Sequence, residues 1–253
     1  MRSKPKSSKL RDEKIGRRKE KRELKRNPVD FSVPNEVHTT YVAKKEIAPL
    51  RALNEAQGQY IASIIANTIT FSVGPAGTGK SYVAGAWAAE QLKQGLIEKI
   101  IITRPCTEVG YKFGAMPGEM EEKYAPFLEP FKDVLIERLG RTFYDYAIKT
   151  GKIVPSPLQF MRGKTFDDAV VILDEAQNVD REQMKMFLTR IGRNSKLIID
   201  GSLTQIDIHN SGLEDALFRL KKIPSIGVVE FTIDDIVRNG IIKDILIAYE
   251  NTK

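Results

Sequence analysis

Cysteine is almost missing: Cys106 stands alone in 253 residues, which excludes an internal disulfide and a four-cysteine metal site. Histidine is scarce too, with only His38 and His209, so structural zinc is not expected. No apolar run reaches the length a membrane span requires. The amino terminus passes from Met1-Arg2-Ser3-Lys4 into charge and not into a hydrophobic signal core. These absences together predict a protein of the reducing cytoplasm that does not enter a membrane, with an inert Cys106. The guanine-reading pattern Asn-Lys-x-Asp is also missing, which argues against a GTPase.

What is present is ordinary in bulk, with 42% hydrophobic and 29% charged residues, as in globular proteins. The net charge of +7 is unevenly spread. Residues 1–26 hold thirteen Lys or Arg against Asp12, Glu13, Glu20 and Glu23, so the tail carries +9 and the remainder −2. With almost no large apolar residue, that tail cannot offset its own ordering entropy, and disorder or transient helix is predicted. It reads either as an arm for RNA or DNA, since clustered cations displace counterions from phosphates, or as a solvated tail without a partner. Residues 27–50, with Pro28, Pro34 and Pro49, read as an extended connector. Residues 51–253 read as one domain.

Within that domain a helix is expected from Asn54 to Asn67 on the stripe Ala56, Tyr60, Ile61, Ile64 and Ile65. Strands are expected at Ile69–Val73, Lys99–Thr103, Ala169–Leu173, Lys196–Asp200 and Ile226–Phe231. Helical patterns alternate with them at Lys80–Gln94, Glu121–Leu139, Arg181–Arg190, Leu213–Lys221 and Asp234–Tyr249. The alternation predicts an α/β fold: a mostly parallel sheet with helices on both faces. In the helix holding Met184 and Met186, core packing is expected of at least one methionine.

The strand Ile69–Val73 runs directly into Gly74-Pro75-Ala76-Gly77-Thr78-Gly79-Lys80-Ser81. Glycines in this spacing let successive N–H groups curl toward phosphate oxygens, and the helix that follows adds its positive end. Lys80 is expected at the β- and γ-phosphates, and the Ser81 hydroxyl on Mg²⁺. The expected nucleotide site is Gly74 through Ser81 and the following Tyr82. Gln57, on the preceding helix, is either a reader of the adenine N6 and N7 edge or a surface glutamine.

The apolar run Ala169–Leu173 ends in Asp174-Glu175, where a buried parallel strand delivers side chains to a ligand crevice. Asp174 is expected in the Mg²⁺ shell and Glu175 as acceptor of a proton from the attacking water. After the next strand, Gln205, supported by Thr204, is the candidate to report on the γ-phosphate or its water. Arg104 faces either a nucleic-acid phosphate or an internal acid; the two stay open.

These residues, in order with Thr103-Arg104-Pro105, Met116-Pro117-Gly118, Arg162-Gly163-Lys164-Thr165, Asp174–Asn178, Met184–Gly192, Thr204–Asp207, Ser211-Gly212-Leu213 and Val237-Arg238, resemble the PhoH-like ATPases. That family is related to superfamily 1 helicase cores, and the resemblance covers about residues 50–250. It implies one RecA-like P-loop NTPase core, use of ATP and Mg²⁺, and RNA or single-stranded DNA as a partner. Two positions depart from the family: Gly201-Ser202 stands where Gly-Asp is usual, and Gly110-Tyr111 where Gly-Glu is common. Longer relatives carry a nuclease domain ahead of the ATPase, and none is expected from residues 1–50. Superfamily 1 helicases place two such cores around one nucleotide. A single core implies an arginine donated by a neighbouring subunit, hence a head-to-tail homo-oligomer such as a hexameric ring. Arg190, Arg193 and Arg238 are the candidate fingers.

Three functions follow. One is an ATPase coupled to nucleic acid, as an RNA helicase or remodeller. Another is a nucleotide-dependent assembly switch or binding module with little hydrolysis. The last, a small-molecule kinase, lacks a lid with clustered arginines.

Overall fold

The computed structural model of the protein describes residues 48–105, 120–203, 211–238 and 240–250. The basic tail, nearly all of the connector, Cys106, Tyr111, Thr204 and Gln205 lie outside the described residues. The compact unit spans Ile47–Lys253. Its first described residues belong to the body: Arg138 Nη1 donates to the Ala48 carbonyl at 2.7 Å, and the Leu50 N–H donates to Glu90 at 3.0 Å.

Six strands, all parallel, form one sheet: β1 (Ile69–Val73), β2 (Lys99–Thr103), β3 (Ile153–Pro155), β4 (Ala169–Leu173), β5 (Lys196–Gly201) and β6 (Ile226–Glu230), in the order β3-β2-β4-β5-β1-β6. All five residues of β4 are buried, as an unbroken apolar run requires when helices cover both faces. Alternation along the strands divides the core in two. Ile100, Ile102, Val170, Ile172 and Ile198 pack under α1 (Glu55–Ala66), α2 (Lys80–Lys93), α3 (Met120–Leu139) and α4 (Arg141–Lys149). Ile101, Val171, Leu173, Leu197 and Ile199 face α5 (Arg181–Leu188) and α6 (Gly212–Leu220). This is the expected RecA-like α/β architecture. Met184 is buried in the second cluster, with Met186 packed against it. No helix among the described residues is long and apolar enough to cross a membrane.

Three expected strands match at both ends, and most other expected elements are present with ends shifted by one or two residues. Asn54 is the N-cap of α1, its side chain accepting the Gln57 N–H at 2.8 Å, which fixes where that helix starts. One strand and one α-helix were not anticipated. Strand β3 has three residues ending in Pro155, too short to display a period and tolerable because it lies at a sheet edge. Helix α4 follows Gly140, which offers no side-chain cap, so its start carries no signal. The expected helix Asp234–Tyr249 is instead a 3₁₀ turn at Ile233–Asp235, an extended Ile236, and α7 (Gly240–Glu250). The break matters because it carries Val237 and Arg238 to the cleft.

Candidate active site

The strand order puts β5 between β1 and β4. Three adjacent strand ends therefore open on one cleft of about 400 Å³, walled by the Gly74–Ser81 loop, Tyr82, Arg104, Asp174, Glu175, Gln177, Asp200, Ser202 and Arg238. That is within the size range of small-molecule sites. A larger apolar groove of about 840 Å³ lies between α5 and α6 near the opposite ends of the strands, away from these polar groups.

The loop is built from glycine where only glycine serves. Gly74, Gly77 and Gly79 have φ of 148°, 87° and 85°, values that a Cβ disfavours. At Gly74 an added Cβ would also lie 2.7 Å from Phe231 Cβ and 2.9 Å from its carbonyl carbon. We expect Gly74→Ala to lower stability by about 3 kcal/mol, a melting point about 10 °C lower, from backbone strain and overpacking. Gly58→Ala inside α1 meets nothing closer than 3.7 Å and should stabilise by about 0.5–1 kcal/mol. Thermal unfolding of the two variants checks both signs.

Lys80 opens α2. Its Nζ donates to the carbonyls of Gly74 (2.9 Å) and Pro75 (2.8 Å) and to Thr78 Oγ1 (3.3 Å), and stands 5.8 Å from the Phe231 ring centre. Burial lowers its pKa, against the raising effect of Asp200, Asp174 and Glu175. Ser81, the next residue, lines the same cleft. Gln57 is not a surface residue: it is buried, its Nε2 donating to the Thr78 carbonyl at 2.9 Å and its Oε1 accepting the Leu53 N–H at 2.9 Å. Helix α1 thus clamps the loop through Gln57.

Asp174, at the end of β4, is buried. Arg104 Nε and Nη2 both donate to its Oδ2, at 2.8 and 2.5 Å, so Arg104 faces an internal acid. Glu175 has φ 56°, an uncommon left-handed conformation for a non-glycine residue. It turns the carboxylate into the cleft wall, where Oε2 accepts from Gln177 Nε2 at 2.6 Å and Oε1 lies 3.6 Å from Arg104 Nη2. Gln177 in turn accepts the Ser202 N–H at 3.0 Å, joining the ends of β4 and β5 around Glu175. A hard-oxygen pair, the Ser81 hydroxyl and the Asp174 carboxylate, suits Mg²⁺. Among the described residues no three His, Cys, Asp or Glu side chains form a metal cage, and Mg²⁺ bound through nucleotide phosphates needs none.

One candidate finger lines its own cleft, and one residue of the cleft had no assigned role in the sequence. Arg238 lies in cis: the Val237 N–H donates to the Gly77 carbonyl at 3.0 Å, and an added Cβ on Gly77 would be 3.1 Å from Arg238 Cδ. Arg190 and Arg193 follow α5 back to the start of β4, where the Arg190 carbonyl accepts the Phe166 N–H and the Arg193 carbonyl that of Asp168. They are not brought to their own cleft. The residue that sequence reasoning missed is Asp200, fully buried, whose Oδ1 accepts from Tyr60 at 2.5 Å and also from Ser72. Its position at the end of the expected strand Lys196–Asp200 was a usable signal. Burial, then the neighbouring Asp174 charge, pushes its pKa from 3.8 up to about 6. The native state binds this proton more tightly than the unfolded chain. The group therefore contributes most below about pH 4 and costs about 3 kcal/mol once pH exceeds 6.

A parallel sheet whose first strand feeds a glycine-cradled lysine, facing an acidic pair two strands away, defines a P-loop NTPase of the RecA-like class. The PhoH-like protein family model matches residues 49–250. Protein PhoH of Escherichia coli (strain K12) is 43% identical over 210 residues, covering 81% of this chain and 59% of that protein. The PhoH-like protein of Bacillus subtilis (strain 168) is 45% identical over 204 residues, 79% of this chain and 64% of that one. The chain belongs to the PhoH-like family, and spans less than two thirds of the length of these relatives. Solved structures similar to it include the Pif1 helicase from Candida albicans, at 16% identity and TM-score 0.37 over 72% of this chain and 41% of that one.

Proposed function

We propose that this domain hydrolyses ATP with Mg²⁺ and couples hydrolysis to RNA or single-stranded DNA. What carries the reading is the convergence of Lys80, Asp174 and Glu175 on one cleft from the ends of β1 and β4. In this reading the loop N–H groups from Gly74 to Ser81 hold the phosphates, Lys80 neutralises the β- and γ-oxygens, and Glu175, oriented by Gln177, takes the proton of the attacking water. Ser81 and Asp174 would hold Mg²⁺, which would supply charge neutralisation at the phosphate oxygens. Gln57 secures the Thr78 end of the loop and offers its second Nε2 hydrogen to the base. Arg238 adds a positive charge in cis. Gln205 would report on the γ-phosphate or its water. Arg190 and Arg193, turned away from their own cleft, are the fingers a neighbouring subunit would receive in a ring.

The nucleic-acid part rests on the +9 tail of residues 1–26. We expect single-stranded RNA to raise ATP turnover several-fold at low salt and deletion of residues 1–26 to remove that stimulation. Equal turnover with and without RNA or single-stranded DNA would overturn the coupling. The assembly-switch reading draws on Arg104 covering Asp174; it predicts nucleotide-dependent assembly without phosphate release.

A further inference from the structure

Asp200 is left unused by this chemistry, and its surroundings are not those of a structural aspartate. Strand pairing sets Asp200 opposite Ser72 on β1. Alternation turns both toward α1, whose Tyr60 hydroxyl completes the group while its ring packs edge-on against that of Phe231, centres 5.7 Å apart. Both donors go to one oxygen. The other, Oδ2, is buried with no hydrogen-bond partner, yet the residue forms part of the cleft wall. An asparagine would accept the same two bonds without a buried charge, so the hydrogen bonds alone do not account for a carboxylate. Its charge does have an object. Among the described residues Lys80 donates to neutral oxygens, and it shares a cleft wall with Asp200, Asp174 and Glu175, whose carboxylates act on it through space. The groups facing Asp200 from the packed elements are Tyr60 and Ser72, Lys80 on α2, and Asp174 at the end of β4.

We propose that Asp200 is a positioning residue of the phosphate site: anchored by Tyr60 and Ser72, its buried carboxylate is the fixed counter-charge that sets Lys80. Tyr60 lies one helical turn from Gln57, which grips Thr78. Helix α1 is thereby tied to the loop through Gln57 and to the end of β5 through Tyr60 and Asp200.

This proposal rests on the hydrolytic reading, and the test separates the two. Steady-state turnover and equilibrium ATP binding are measured from pH 5 to 8 for the wild type and Asp200→Asn, each with a melting curve. The variant keeps the shape and both acceptor bonds. We expect kcat about 10-fold lower, ATP binding as tight or tighter because an anion near the phosphates is gone, and melting no lower than wild type. Wild-type kcat should fall as pH drops through about 6, and the variant should lack that limb. Unchanged kcat with an unchanged acid limb overturns the proposal, as does a variant unfolded at the assay temperature. A wild type that binds ATP without hydrolysing it sinks the hydrolytic reading instead. Identical ATP-binding curves against pH for the two proteins would then overturn the role of Asp200 as well.

Discussion

Lys80→Ala is expected to reduce ATP turnover by about 10²–10³-fold and to weaken nucleotide binding, with little change in melting temperature. The first part follows from the site's charge. Lys80 is the cation held inside the cradle, between the Gly74 and Pro75 carbonyls. A preorganised donor at transferring phosphoryl oxygens is worth that much in rate. The second follows from burial. Desolvation already lowers the Lys80 pKa, so the folded protein gains little by keeping the ammonium there. The loop geometry rests instead on its glycines, on the Gln57 contact to Thr78 and on the Val237 contact to Gly77. Loss of folding in Lys80→Ala, seen as a lower melting point, would assign the lysine to structure.

How much of this was readable beforehand depends on how local each feature is. The cradle and the Asp174-Glu175 pair were legible because their chemistry lies in consecutive residues flanked by an apolar strand. Strand β4 declares itself through five buried apolar residues in a row. The contacts that finish the site are long-range. Tyr60 and Asp200 are 140 residues apart, Ser72 and Asp200 128, and Arg104 and Asp174 70. The first two exist because β5 lies beside β1 and the third because β2 lies beside β4, an order no local period encodes. The cis position of Arg238 likewise depends on the break between Asp235 and Gly240. A continuous amphipathic pattern masks that break in the sequence.

The second large effect concerns Glu175, and it separates hydrolysis from binding. Its carboxylate is about half exposed, and is held by Gln177 at 2.6 Å beside Arg104 at 3.6 Å. A left-handed backbone at φ 56° points it away from the line of the strand. That conformation costs on the order of 1 kcal/mol, a strain consistent with placing a base and unnecessary for a strand cap. Glu175→Gln keeps the size and can still hydrogen-bond to Gln177, but it cannot take a proton from water. The expected loss in kcat is about 10²–10⁴-fold, with ATP affinity within a few-fold of wild type because the cradle, Lys80 and Asp174 are untouched.

The most direct measurement is therefore Mg²⁺-dependent phosphate release from ATP by the wild type and Glu175→Gln, alongside equilibrium ATP binding by both. The account predicts release by the wild type that stops without Mg²⁺, near-complete loss of release in Glu175→Gln, and ATP binding retained in the variant. Equal phosphate release by the two proteins, or no release by a wild type that binds ATP with Mg²⁺, would contradict it.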